Sequence, residues 1–241
     1  MKVGTDGVLL GAWVSLPEGE AEKPHRILDI GTGTGVIALM LAQRTDVSTR
    51  IDAVEIEPEA AAEASGNFAA SPWSDRLQVH SVSVQQWAAE PANGKRYDLI
   101  VSNPPYFMAG SDFRRGFDIS EAATQPTAAR VAARHAEQLP FGELISSVRM
   151  LLHPHGRFAA IIPYREAGIF IAQAASRGLF VRRIAEIRGT PRKPVKRIAV
   201  ECTFDRPARE AIVSETLCIE DGAGSFTAAY RELTRDFYLK F

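Results

Sequence analysis

Apolar residues follow two alternating patterns along this chain: short unbroken runs, and longer stretches in which they return every three or four positions. The short runs Arg26–Ile30, Ile51–Glu55, Leu77–His80 and Tyr97–Ser102 read as strands buried on both faces. Between them, Val36–Arg44 and the stretch from Pro58 to Ala69 have helical spacing, the second with proline in its first turn, where a missing N–H costs nothing. The pattern continues with a helix over Phe141–Leu152, a strand over Arg157–Ile162 and a helix from Pro163 that stops near Arg177-Gly178. Strands over Phe180–Ile187 and Arg197–Phe204 follow, joined by a Gly-, Pro- and Arg-rich link with no room for a crossover helix, so this pair is antiparallel. A helix over Thr5–Val14 precedes the first strand. Thr216–Glu220 is a candidate extra edge strand, and Thr227–Tyr238 a closing helix. Strands alternating with helices predict an α/β fold: a mostly parallel seven-stranded sheet, helices on both faces and an antiparallel last strand. No internal repeat or linker divides the chain, so residues 1–241 are expected to form one domain.

Composition narrows the classes. With 241 residues and 46% hydrophobic content the chain can bury a full core. Its net charge of −1 provides no global basic field, so any nucleic-acid partner must be held by a local patch. Cys202 and Cys218 have no metal-ligand spacing and read as buried thiols of a reducing cytosol. His153 and His155 bracket Pro154 in a helix-to-strand turn, without the further ligands a metal would require. No signal peptide and no run of membrane-spanning length is present, which predicts a cytoplasmic location.

Chemistry concentrates at two strand ends. Asn103-Pro104-Pro105-Tyr106 directly follows the run ending at Ser102. The Asn103 carboxamide oxygen and the Pro104 carbonyl are both acceptors and can hold an NH2 group by its two hydrogens. The prolines fix φ and stiffen the turn, and Tyr106 offers a flat ring for stacking. This constellation suits methylation of a planar exocyclic amine; the plain alternative is a Pro-Pro turn with a core tyrosine. The first strand runs into Gly31-Thr32-Gly33-Thr34-Gly35 and then a helix, an order that lets backbone approach a cofactor closely. Asp29 stands just before the glycines, where a carboxylate could face an ammonium group. About two dozen residues on, the second strand ends in Glu55, placed to accept from both ribose hydroxyls. Glycine loop, ribose acid and Asn-Pro-Pro-Tyr in this order point to S-adenosylmethionine as cofactor, with Gly31, Gly33, Gly35 and Asn103 in its site.

The opening block from Met1 to Trp13 resembles that of bacterial tRNA1(Val) (adenine(37)-N6)-methyltransferases. Leu41–Asp46, Ser71-Pro72-Trp73, Gln85-Gln86-Trp87 and the ending Phe237-Tyr238-Leu239 are similar too, so the likeness runs nearly end to end. It implies a Rossmann-like class I methyltransferase fold and methylation of N6 of adenine 37, beside the anticodon of tRNA1(Val). It also implies that residues 1–15 cover the cofactor, with Lys2, Thr5, Ser83 and Val84 among its contacts, and that no obligate protein partner is needed. Two departures stand out. Family members usually carry further residues before this block, which predicts either a native start upstream or a missing N-terminal cap. They also carry an Asp where this chain has Ser83, which accepts from the cofactor's adenine amine without charge.

Two stretches are candidates for holding the RNA. Residues 108–134 are polar and alanine-rich and carry Arg114, Arg115, Arg130 and Arg134 beside the reaction centre. A loop of this length there predicts a mobile lid that orders on tRNA, rather than a solvated insertion. Tyr106 and Phe107 at its start would hold the face of the base. The second stretch, 177–197, carries Arg182, Arg183, Arg188, Arg192, Lys193, Lys196 and Arg197 against one acid, Glu186. Such charge density suits phosphate contact. The four-residue motif alone leaves other planar amines open: a release-factor glutamine amide, a DNA adenine or an rRNA guanine. A cofactor-binding RNA chaperone without turnover is the non-catalytic alternative.

Overall fold

The computed structural model describes residues 4–16, 24–90, 97–104 and 141–238. The expected lid at 108–134 lies outside them. Helix α1 (Thr5–Trp13) leads into β1 (Arg26–Ile30), α2 (Val36–Arg44), β2 (Arg50–Glu55), α3 (Pro58–Ala69) and β3 (Leu77–Ser81). Then come α4 (Val84–Ala89), β4 (Tyr97–Ser102), α5 (Phe141–Leu151), β5 (Leu152–Pro163) and α6 (Tyr164–Ser176). Strands β6 (Phe180–Arg188), β7 (Val195–Thr203) and β8 (Val213–Cys218) and helix α7 (Ala228–Thr234) complete the described order.

The strands form one sheet in the order β3-β2-β1-β4-β5-β7-β6-β8. From β1 the chain builds outward through β2 and β3, then returns to pair β4 on the other side of β1. This reversal opens a crevice at the carboxyl ends of β1 and β4, the usual place for a ligand in such sheets. Register brings specific residues to it. Ile30 pairs with both Val54 and Ser102, so Gly31, Glu55 and Asn103 leave three adjacent strands at one level.

Strand alternation divides the core between two faces. Leu28, Ile100 and Phe158 pack against Trp87 of α4, Ile145 of α5 and Phe170 of α6. Ile27, Leu99 and Ile161 face Leu10 of α1, Leu41 of α2, Phe68 of α3 and Tyr230 of α7. Cys202 is fully buried, and burial, reinforced by the charge of Glu201, pushes its thiol up to about 12. Among the described residues no helix is long and apolar enough to cross a membrane.

The sheet differs from expectation at its far edge. The candidate extra edge strand forms as β8, three residues earlier than expected, and its pairing with β6 in parallel makes eight strands where seven were expected. The seventh strand, β7, is antiparallel as expected, and it is inserted between β5 and β6. Strand β5 also begins earlier, at Leu152, and absorbs the expected His-Pro-His turn as an irregularity opposite Tyr97–Leu99. Gly156 is required there, since a Cβ would lie 2.9 Å from the Tyr97 carbonyl. Helix α4 was not anticipated: six residues carry too little periodicity to register as a helix.

A buried polar network secures α4 to the sheet. Trp87 Nε1 donates to the Tyr97 hydroxyl at 3.2 Å, which in turn donates to Asp52 Oδ2 at 2.9 Å. The other Asp52 oxygen lies 3.1 Å from His80 Nε2, and Arg26 lies 3.3 Å from Oδ2. Burial alone would raise the Asp52 pKa. Hydrogen bonds from His80 and Tyr97 and the nearby positive charges outweigh it and hold this carboxyl below its usual value. Removing the central hydroxyl strips a bond from both buried neighbours, so Tyr97→Phe is expected to lower stability to urea by about 1–3 kcal/mol.

Candidate active site

Each glycine of the loop has positive φ: 69° at Gly31, 58° at Gly33 and 84° at Gly35. Side-chain-bearing residues resist that conformation. Gly35 meets a second constraint, because a Cβ would fall 2.5 Å from Phe68 Cε1. The loop is laced to β2 by the Gly31 and Thr32 amides, which donate to the Val54 carbonyl at 2.9 and 3.2 Å.

Glu55 supports the loop from the neighbouring strand. Its Oε2 accepts from the Gly33 amide at 2.9 Å and its Oε1 from the Glu57 amide at 3.0 Å. Each carboxylate oxygen keeps acceptor capacity on the cleft side. Asp29 behaves differently from expectation. Alternation places it with Ile27 on the face covered by α2, and there it is fully buried. Its Oδ2 accepts from Thr32 Oγ1 at 2.6 Å and from the Ala38 amide at 3.2 Å, tying the strand end to the first turn of α2. It does not line the cleft, and its Oδ1 has no hydrogen-bond partner among the described residues. Burial pushes its pKa up to about 7, against the lowering effect of those two bonds, and the charge of Glu55 adds to the rise.

Helix α1 forms one wall. Its far end is held by Arg44, which donates to the Gly11 and Val14 carbonyls at 2.6 and 2.9 Å. Arg183 lies 4.3 Å over the Trp13 ring and donates to its carbonyl, and Trp13 Nε1 donates to Glu215 at 2.7 Å. At the near end, Arg197 Nε donates to Asp6 Oδ2 at 2.8 Å. Arg197 and Arg183, both counted in the basic stretch, therefore make ion pairs within the fold.

Ser83 also has an internal task. It is the N-cap of α4, accepting from the Gln86 amide at 3.2 Å in a capping box that Gln86 completes. Its hydroxyl donates to Gln86 Oε1 at 3.1 Å. That leaves it an uncharged acceptor already shared with the helix end.

Together these elements enclose a cavity of about 920 Å³. Of the residues singled out from sequence, Thr5, Gly31, Gly33, Glu55, Ser83, Val84, Asn103 and Pro104 line it. Gly35 does not; it starts α2 behind the loop. Lys2, Pro105, Tyr106, Phe107, Arg114, Arg115 and Arg134 lie outside the described residues. Arg192, Lys193 and Lys196 are exposed on the β6–β7 hairpin, while Arg188 is half-buried with Glu186 3.6 Å away. Phe141 and Leu144, in the first turn of α5, and Ile56 also line the cavity, and sequence reasoning missed them. Helical periodicity marks the first two as inward-facing but does not reveal that the inward face ends at a cleft.

The description of the methyltransferase small domain matches residues 11–125 of this chain. A tRNA1(Val) (adenine(37)-N6)-methyltransferase of Edwardsiella ictaluri is 41% identical over 242 residues, covering 100% of this chain and 88% of that protein. A protein of the same name from Christiangramia forsetii is 40% identical, with 100% and 92% covered. Among solved structures, a predicted O-methyltransferase of Agrobacterium tumefaciens aligns with a TM-score of 0.67 at 18% identity, covering 96% of each chain. A SAM-dependent O-methyltransferase of Thermotoga maritima aligns at 0.56 and 14% identity, covering 86% of this chain and 68% of that one. At these identities the two structures carry the fold alone, the Rossmann-like class I methyltransferase fold.

The raised pKa of Asp29 has a consequence for stability. The folded state holds the proton more tightly than the unfolded chain, whose carboxyl titrates near 3.8. Its contribution is full below that value and is lost as pH rises through about 7. Urea melts between pH 5 and 8 are therefore expected to shift in favour of Asp29→Asn relative to the parent as pH rises. A constant difference between the two would refute this.

Proposed function

The chain belongs to the family of tRNA1(Val) (adenine(37)-N6)-methyltransferases, and we propose on that footing that it transfers a methyl group from S-adenosylmethionine to N6 of adenine 37 in tRNA1(Val). One observation carries the site assignment: strand register brings the glycine loop, Glu55 and Asn103-Pro104 to the walls of one cavity.

The residues present suit the cofactor. The cavity's volume lies within the roughly 300–1,000 Å³ of small-molecule sites. Glu55 offers its remaining acceptor capacity to ribose hydroxyls. Ile56, 65% exposed beside it, is an apolar side chain left open in a cleft, as a flat heteroaromatic ring would require. Gly31 and Gly33 let backbone approach, and Thr5, Ser83 and Val84 close the sides. When bound, S-adenosylmethionine supplies an electrophilic methyl group on a sulfonium sulfur.

We assign the amine to Asn103 and Pro104. The adenine N6 lone pair is delocalised into the ring, so the nitrogen is a weak nucleophile. Two acceptors that take its hydrogens, the Asn103 carboxamide oxygen and the Pro104 carbonyl, favour a pyramidal nitrogen with its lone pair directed outward. They also stabilise the positive charge that develops there, a preorganised electrostatic effect. Pro105 stiffens the turn, and Tyr106 with Phe107 would hold the face of a base drawn out of the anticodon loop, where unstacking costs less than in a duplex. Substrate alignment supplies the rest: as N6 bonds to the methyl carbon the sulfur–methyl bond would break with its electron pair left on sulfur, and the extra N6 proton would pass to water. Arg188, Arg192, Lys193 and Lys196 on the β6–β7 hairpin are the proposed phosphate contacts, with Arg114, Arg115 and Arg134 as further cations. A tRNA substrate supports a cytoplasmic location.

Incubation with S-adenosylmethionine and unmodified tRNA1(Val) is expected to yield N6-methyladenosine at position 37, identified after nuclease digestion. Asn103→Ala should lower turnover by about 10²–10³ while RNA binding holds. Methylation of a release-factor glutamine instead would replace the substrate assignment, and undiminished transfer by the variant would remove Asn103 from the mechanism. The paired change Arg192→Glu and Lys193→Glu should weaken tRNA binding and flatten its salt dependence by about one unit of log–log slope per lost contact. An unchanged slope would move the RNA off this hairpin.

A further inference from the structure

Arg197 stands at the junction of two sites that are otherwise separate. It is the third residue of β7, opposite Pro163 at the carboxyl end of β5 and Ile187 of β6. On one face of the sheet its Nε donates to Asp6 of α1 at 2.8 Å. From the other face Glu166, in the first turn of α6, lies within reach of its charge. One Glu166 oxygen is buried with no hydrogen-bond partner among the described residues. The guanidinium is thus bonded to the acid of α1 and feels the charge of an acid on the helix that covers the opposite face.

The position of Asp6 makes this consequential. Gly4, Thr5, Asp6 and Gly7 form the α1 wall of the cofactor cavity. The far end of that helix is anchored independently by Arg44 and Arg183. Its N-cap is Gly4, which contributes no side-chain cap. Order in the first turn is therefore the part of α1 most sensitive to Arg197. Along the chain, Arg197 immediately follows the hairpin that exposes Arg192, Lys193 and Lys196. Arg197 itself points inward, with 27% of its side chain exposed, so RNA phosphates would meet its neighbours and leave its pairing intact.

We propose that Arg197 is a positioning residue that couples the cofactor cavity to the RNA-facing hairpin. Through Asp6 it holds the first turn of α1 against bound cofactor. Through β7 it is ordered when RNA fixes the hairpin, so each ligand lowers the ordering cost met by the other. The coupling is reciprocal by thermodynamic necessity. Its RNA half rests on the phosphate-binding reading of the hairpin given above.

Titration calorimetry of S-adenosylhomocysteine, which lacks the transferable methyl group, tests this, with and without saturating anticodon stem-loop RNA. The proteins are the parent, Asp6→Asn, Arg197→Gln, Arg197→Lys and the double variant Asp6→Asn/Arg197→Gln, with thermal melts alongside. Each single loss of the pair should weaken cofactor binding about fivefold, in keeping with a partly exposed ion pair worth roughly 1 kcal/mol. The double variant should lose less than the sum of the two singles, because both remove the shared interaction. RNA should tighten cofactor binding in the parent, less in Arg197→Lys and not in Arg197→Gln. Unchanged affinity in the single variants, additive losses in the double, or an RNA effect that survives Arg197→Gln would overturn the proposal. Should Arg197→Gln fail to fold, Asp6→Asn decides alone by the same criteria. Methyl transfer by the parent in parallel samples given S-adenosylmethionine separates the two readings: transfer without coupling overturns only this inference, and absence of RNA binding overturns both.

Discussion

The pairing of Ile30 with both Val54 and Ser102 is the constraint on which the rest depends. Register in such a sheet is set by which side chains each strand buries, because one residue of slip would turn every side chain to the opposite face. At the observed register, three strands end level and deliver a glycine loop, an acid and an Asn-Pro turn to one crevice. No long-range side-chain contact has to bring them together. The glycine loop then needs only local conditions: positive φ, two amides bonded to the Val54 carbonyl, and Glu55 beneath the Gly33 amide.

Buried charge is used to hold the walls of that crevice. Asp29 and Glu55 are both acids at strand ends, and their tasks diverge because their faces do. Glu55 borders the cavity, and each of its oxygens accepts from a backbone amide. Asp29 turns to α2, and its burial favours the protonated form. Asp52 sits deeper along β2, yet its hydrogen bonds and positive neighbours outweigh burial and keep it ionised. Three carboxyls in one part of the sheet thus serve a cavity wall, a helix anchor and a polar core, according to what each oxygen meets.

The basic stretch resolves in a similar way. By composition, seven cations between Arg182 and Arg197 look like one patch. In the fold, Arg183 and Arg197 are turned inward to acids of the α1 wall and β8, and Arg192, Lys193 and Lys196 remain exposed. A chain of net charge −1 thereby carries a small local surface of positive sign at the hairpin tip, and spends its other cations on positioning.

Sequence alone determined the strand-and-helix order, the glycine loop, the acid of the second strand and the Asn-Pro turn, because short apolar runs, glycine and proline act locally through backbone sterics. It also identified the family, since the likeness extends beyond the cofactor motifs. It did not reveal the eighth strand's partner, the six-residue α4, or Phe141 and Leu144 in the cavity wall. Nor did it separate Asp29 from the cleft, Ser83 from the helix it caps, or Arg197 from the exposed cations of the hairpin. Those outcomes belong to tertiary structure for one physical reason: which group a side chain meets depends on the face of the sheet and the neighbouring element, and both are set by pairings between residues far apart in the chain.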